Sequence, residues 1–193
     1  MKIRTLCAAL ALLAGAACGL VPQKGHQLVQ HDLGGGFRAL AQKPLPLRSV
    51  SVSATPLMAG LNMNYRDASQ PTTRGAYAFN RWAAPPANLL DQAFNRVLPQ
   101  DASGRCRLNF LLSDLLLEID EAGSGSVLLA GSLRLSLDGK TSIYRRIVDI
   151  RVPVDPVEPE ALALGGRKAL IQLGELTSNW ISGQIDTFCR APD

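Results

Sequence analysis

Histidine is scarce in this chain. Only His26 and His31 occur in 193 residues, both near the start. Hydrolytic nucleophiles are activated by an adjacent base, most often an imidazole. The neighbours His31–Asp32 are half of such a set, but no Gly-x-Ser-x-Gly elbow follows them. A strand edge beside a turn is the simpler reading of that pair. No Cys/His spacing fits zinc. Gly34–Gly35–Gly36 lacks the Lys and Ser/Thr that complete a phosphate-cradling loop. Beyond residue 17 no apolar run approaches the roughly 20 residues needed to span a bilayer as a helix. Basic residues do not cluster along the chain: Arg145–Arg146 and Arg167–Lys168 are isolated pairs and read as solvated surface charge. These absences favour a non-catalytic protein with no cofactor, no metal and no nucleic-acid partner.

Asp114, Glu118 and Asp120 share one face of a strand by parity. Paired carboxylates perform acid–base work in some enzymes. At even spacing along a strand they more often mark the wet side of a sheet, and that reading is preferred here.

What is present begins at the N-terminus. Lys2 and Arg4 precede a short apolar run from Leu6 that reads LCAALALLAGAAC and closes on Cys18. A basic start, a short apolar stretch and small residues before a break form an export signal. Ala16–Ala17 directly before a cysteine is the lipoprotein form, in which the Cys18 thiol takes the lipid, although Gly15 stands where such signals usually carry Leu. An ordinary secretory signal with Cys18 incidental is the alternative. The expected organisation is a signal over 1–17, a lipidated Cys18 with a tether over 18–25, and one domain over 26–193. Two or more acyl chains suffice for stable attachment.

Removing residues 1–17 from the 193 leaves 176, enough for one domain with a real core. Lys2 and Arg4 leave with the signal, so 18 basic residues face 16 acidic ones, a balance of +2 against +4 for the whole chain. Cys106 and Cys189 then remain as a pair in an oxidising compartment. They either form a disulfide or stay as two buried thiols, and the compartment favours the bond. Closing a loop of that length is worth roughly 4 kcal/mol in the chain-entropy picture.

The mature chain alternates in pattern. A strand is expected within His26–Leu33, ended by the three glycines. Arg48–Thr55 places Val50, Val52 and Ala54 on one face and serines on the other. Gly60–Arg66 and Arg74–Asn80 are further short strands. Pro85–Pro86 opens a helix carrying Leu89, Leu90, Ala93, Phe94 and Val97, which Pro99 ends. Leu108–Ile119, Val127–Leu137 and Ser142–Val152 read as an antiparallel meander, with Asp138–Gly139 as a tight hairpin. Pro153, Pro156 and Pro159 are expected to stop the last strand. A second helix follows from about Glu158 to Ile185, with Gly165–Gly166 interrupting its start. The fold class is therefore α+β: a mainly antiparallel sheet with two helices packed on one face, in the order β-β-β-α-β-β-β-α.

The segment Met63–Leu98 resembles the signature of the ABC-type transport auxiliary lipoprotein family, which includes the PqiC-like lipoproteins. The resemblance is carried by Met63, Tyr65, Arg66, Tyr77, Asn80, Arg81, Trp82, Pro85 and Leu89–Leu90. His31–Asp32–Leu33–Gly34 is similar to that family's first strand, with His31 in place of a Tyr, and Trp180–Ile181 resembles its last helix. The resemblance implies a lipid-anchored, periplasm-facing protein of the outer membrane. It implies a subunit of an envelope lipid transport system that docks with an MCE-domain protein and an inner-membrane ABC permease and ATPase, and forms a homo-oligomer. The alternative function is a periplasmic carrier holding an acyl chain in its own core. Tyr65, Arg66, Tyr77, Asn80, Arg81 and Trp82 are the interface candidates, since Trp, Tyr and Arg dominate hot spots. For Trp82 a core role is the competing assignment.

Overall fold

The computed structural model describes residues 27–40, 43–137 and 144–190. The signal, Cys18, the tether and the Asp138–Gly139 turn lie outside the described residues.

The longest strand organises the rest. β5 (Cys106–Ile119) runs antiparallel to β6 (Gly125–Leu137), which runs antiparallel to β7 (Tyr144–Val154). The other edge of β5 is shared. β2 (Leu47–Ala54) pairs parallel with its first half and β3 (Asn62–Asp67) parallel with its second half. β4 (Gly75–Trp82) then runs antiparallel to β3, and the short β1 (Val29–His31) parallel to β4. The sheet is open and mostly antiparallel, because the long β5–β6–β7 meander dominates the pairing. Four strands, rather than three, precede the first helix.

β5 reads LNFLLSDLLLEI after its first two residues, too apolar to show which face is which. The structure resolves this with a bulge between Leu112 and Asp114. Leu108, Phe110 and Leu112 face the core before it, and Leu115 and Leu117 after it, so one extra residue carries a run of apolar side chains onto the same side. Asp114 and Glu118 fall on the opposite, wetter face.

α1 (Pro86–Val97) buries Leu90, Ala93, Phe94 and Val97. It also completes the free edge of β2: Asp91 accepts from the Val52 amide at 2.7 Å, and Gln100, just past the helix, from the Val50 amide at 3.2 Å. α2 (Pro159–Gln184) lays Leu162, Leu170, Leu173 and Ile181 into the same core as the inner faces of β5, β6 and β7. The last turn, α3 (Asp186–Cys189), ends at a disulfide from Cys189 to Cys106, with Cα atoms 5.1 Å apart. Among the described residues the core runs from Leu33 to Cys189.

Two expectations from the sequence change. β7 continues through Pro153 to Val154, because it is an edge strand whose outer side needs no amide donor. Gly165–Gly166 do not interrupt α2. A Cβ on Gly165 would lie 2.4 Å from Val127 Cγ2 and 2.9 Å from Val154 Cγ1, so glycine is what lets this helix settle onto β6 and β7.

Gly165→Ala sets two effects against each other. Alanine gains roughly 1 kcal/mol of helix propensity, whereas overpacking a core typically costs about 1–3 kcal/mol. Crowding wins, because both obstructing side chains sit on paired strands. Denaturant unfolding is expected to show Gly165→Ala destabilised. Gly183→Ala, with nothing within 4 Å of its Cβ, is expected to be neutral or slightly stabilised.

Candidate functional site

The family-like segment spans most of β3, all of β4 and all of α1, and its most irregular part is β4. Asn62 pairs with Arg81 while Asn64 pairs with Ala76, so Tyr77–Asn80 oppose little more than Met63. β4 rejoins β3 at its far end, where the Trp82 amide donates to the Leu61 carbonyl at 2.8 Å, and β1 pairs along the other edge there: Val29 meets Asn80 and His31 meets Trp82. Bulges of this kind re-aim side chains.

The six interface candidates are dispersed. Trp82 is fully buried, with its indole N–H lacking an acceptor. In this fold it is a core residue and offers no ring to a partner, which corrects its candidacy as a surface anchor. Burial follows from its position at the end of β4, under the first half of α2. Asn80 reaches across the strand pair, its Oδ1 accepting from His31 Nε2 at 2.8 Å. Tyr65 and Tyr77 pack together with ring centroids 5.1 Å apart. Tyr65 lies over Gly75, where a Cβ would come within 2.2 Å of the ring. Burial pushes the Tyr77 phenol above the ordinary tyrosine value, and the neighbouring Tyr65 and Glu158 push it the same way. Arg81 alone is exposed among the six.

Arg66 belongs to a different group, on the open face of the sheet. Its guanidinium lies 3.6 Å from Glu118, which also accepts from Arg151 Nε at 2.8 Å. Arg151 continues to Asp149, and Arg74 reaches Asp114 across the same face. Arg66, Glu118 and Arg151 line a cleft of about 480 Å³, with Asp120, Pro71 and Pro153 at its rim. Asp120 accepts from the amides of Ala122 and Ser124 and shapes the turn to β6. Asp114 and Glu118 are thus each engaged by arginine.

A residue that sequence reasoning passed over organises the other side. Arg167, on α2, donates to the carbonyls of Leu33 and Gly35 at 3.0 and 2.7 Å and lies 4.3 Å from the Phe37 ring centre. It clamps the loop after β1, where Asp32 accepts from the Gly34 amide at 2.6 Å. Clefts of about 460 and 220 Å³ flank this loop. The signal available in sequence was only the charged pair Arg167–Lys168. Among the described residues, no group of three or more His, Cys, Asp or Glu side chains is placed to hold a metal ion.

No family model matches this chain, and no curated protein matches it. Solved structures do. A crystal structure described only as that of an uncharacterized protein has a TM-score of 0.61 at 15% identity, covering 80% of this chain and 99% of its own. Protein XCC0632 from Xanthomonas campestris, of family DUF330, has a TM-score of 0.60 at 16% identity, covering 84% of this chain and 97% of its own. At these identities the likeness is one of fold.

Two measurements check the geometry. Trp82→Ala is expected to cost about 3–5 kcal/mol in denaturant unfolding, the range for deleting a large buried aromatic, whereas Arg81→Ala leaves stability within about 0.5 kcal/mol. In an alkaline absorbance titration, one tyrosine ionises late, and that step disappears in Tyr77→Phe. The unfolded chain releases this proton first, so stability conferred by the neutral phenol is lost as pH rises above the ordinary tyrosine range.

Proposed function

We propose that this chain is the non-catalytic, membrane-anchored lipoprotein subunit of an ABC/MCE-type envelope lipid transport system, docking with an MCE-domain partner in the periplasm. The observation that carries the reading is the pairing, in one chain, of the Cys18 signal with the Met63–Leu98 signature. The anchor would be in the outer membrane, since Gly19 rather than Asp follows the lipidated residue. The inner-membrane ABC permease and ATPase are the remaining partners, and several copies of the chain would assemble.

The packing supports docking over carriage of an acyl chain. The space between sheet and helices is filled by side chains such as Phe94, Phe110, Leu162 and Leu173, each fully buried. The clefts described above open to the surface instead. Of the six candidates Arg81 is the exposed one, opposite the exposed Gln30 of β1, and in this reading it meets the partner. Among the described residues no helix is long and apolar enough to cross a membrane, so attachment in this reading falls to Cys18.

Pull-down of the mature chain with the MCE-domain protein encoded beside it is expected to capture a complex, and Arg81→Glu is expected to weaken it by roughly tenfold or more, as for a charge placed against its complement. Absence of a complex at low and moderate salt contradicts the docking role. Labelling cells with radioactive palmitate is expected to mark the parent chain and not Cys18→Ala.

A further inference from the structure

The open face of the sheet divides by charge. In its upper half the carboxylates borne by the strands are taken: Asp114 by Arg74, Glu118 by Arg66 and Arg151, and Asp149 by Arg151. In its lower half, among the described residues, there are arginines without carboxylates. Asn109 pairs with Arg134 and Arg134 with Arg145, so the two arginines are direct cross-strand neighbours on one face. Arg107 lies two residues before Asn109 on the same side of β5 and, like the other two, is exposed. None of the three has an ion pair among the described residues. Direct cross-strand partners sit about 4.5–5.5 Å apart at Cβ, and like charges there destabilise a sheet. On the next rung Ile147, 65% exposed, stands opposite Ser132.

We propose that this lower half is a docking surface for an anionic phospholipid bilayer. Arginine forks match phosphate oxygens bidentately, and a phosphate layer relieves the repulsion between Arg134 and Arg145. Ile147 selects the bilayer over an acidic protein segment: the interface of a membrane accepts an apolar side chain among cationic ones, whereas a carboxylate-rich segment answers the arginines alone. The chain ahead of the body fits as well. Only residues 19–26 separate Cys18 from the first described residue, a reach of at most about 28 Å. The charge pattern does not depend on the transport reading; only this proximity shares its lipidated cysteine.

The test uses residues 19–193, which keep every core residue described above and carry no lipid, so that binding reports the face itself. Co-sedimentation is run with vesicles of phosphatidylcholine alone and with phosphatidylglycerol added. The expected result is binding only with phosphatidylglycerol, weakening as salt rises. Arg134→Ala/Arg145→Ala is expected to lower the partition constant roughly 30-fold, and Ile147→Ser to lower it further. Arg134→Glu is expected to bind poorly yet melt at or above the parent temperature, which separates lost binding from lost folding. Equal binding to both vesicle types, or unchanged binding by the double variant, overturns the proposal. Binding of poly-glutamate without binding of vesicles also overturns it, in favour of an acidic protein partner. Palmitate labelling of the full chain succeeds or fails independently of these results.

Discussion

Almost everything in this structure depends on β5 being paired along both edges at once. One edge carries β6 over its full length, and the other is divided between β2 and β3. A strand so enclosed has few ways to slip, since a one-residue shift would turn its leucines to the wrong face. The bulge at Leu112/Asp114 fits into that constraint by restoring the alternation where the side-chain pattern breaks. The disulfide then ties the first residue of β5 to the last turn of the chain, closing the unit around its own central strand.

From this spine the two faces of the sheet diverge. The inner face is sealed by two helices that approach closely: α1 satisfies the outer edge of β2 through Asp91, and α2 descends onto β6 where Gly165 leaves room. Among the described residues no α-helix lies across the outer face. Its polar character is organised in rungs, with ion pairs above and unpaired arginines below. The family-like residues are divided by the same geometry. Trp82 closes the inner core, Tyr65 and Tyr77 pack at a tilt at its margin, and Arg66 joins the outer ladder. A sequence signature therefore need not be one surface; most of this one maintains the irregular β4 and the β1–β4 pairing.

The parts of the fold that were legible in sequence are those with clean periodicity. The β6–β7 alternation, the helix opened by Pro85–Pro86 and the final apolar helix all stand where their patterns put them. The α+β class followed from their order. The parallel pairing of β2 and β3 with β5 was not legible, because alternation reports a buried face and is silent about neighbours. Glycine weakens isolated helices, so Gly165–Gly166 reads as a break from sequence, whereas the close approach of Val127 decides the role of Gly165 here. Pro153 reads as a stop from sequence because edge position is not a property of local sequence. Arg107, Arg134 and Arg145 are far apart in the chain and looked unrelated. Only the register of β5, β6 and β7 brings them together, and it sends Arg146 to the opposite face from Arg145.

Native-state hydrogen exchange followed residue by residue tests the central role of β5 most directly. The account predicts that amides from Leu108 to Leu117, in both the β2-paired and β3-paired halves, exchange only through global unfolding, while those of the edge strand β7 open locally at lower free energy. Exchange of the second half of β5 as fast as that of β7 would contradict it, since β3 would then not be seated on the strand that the rest of the molecule is built around.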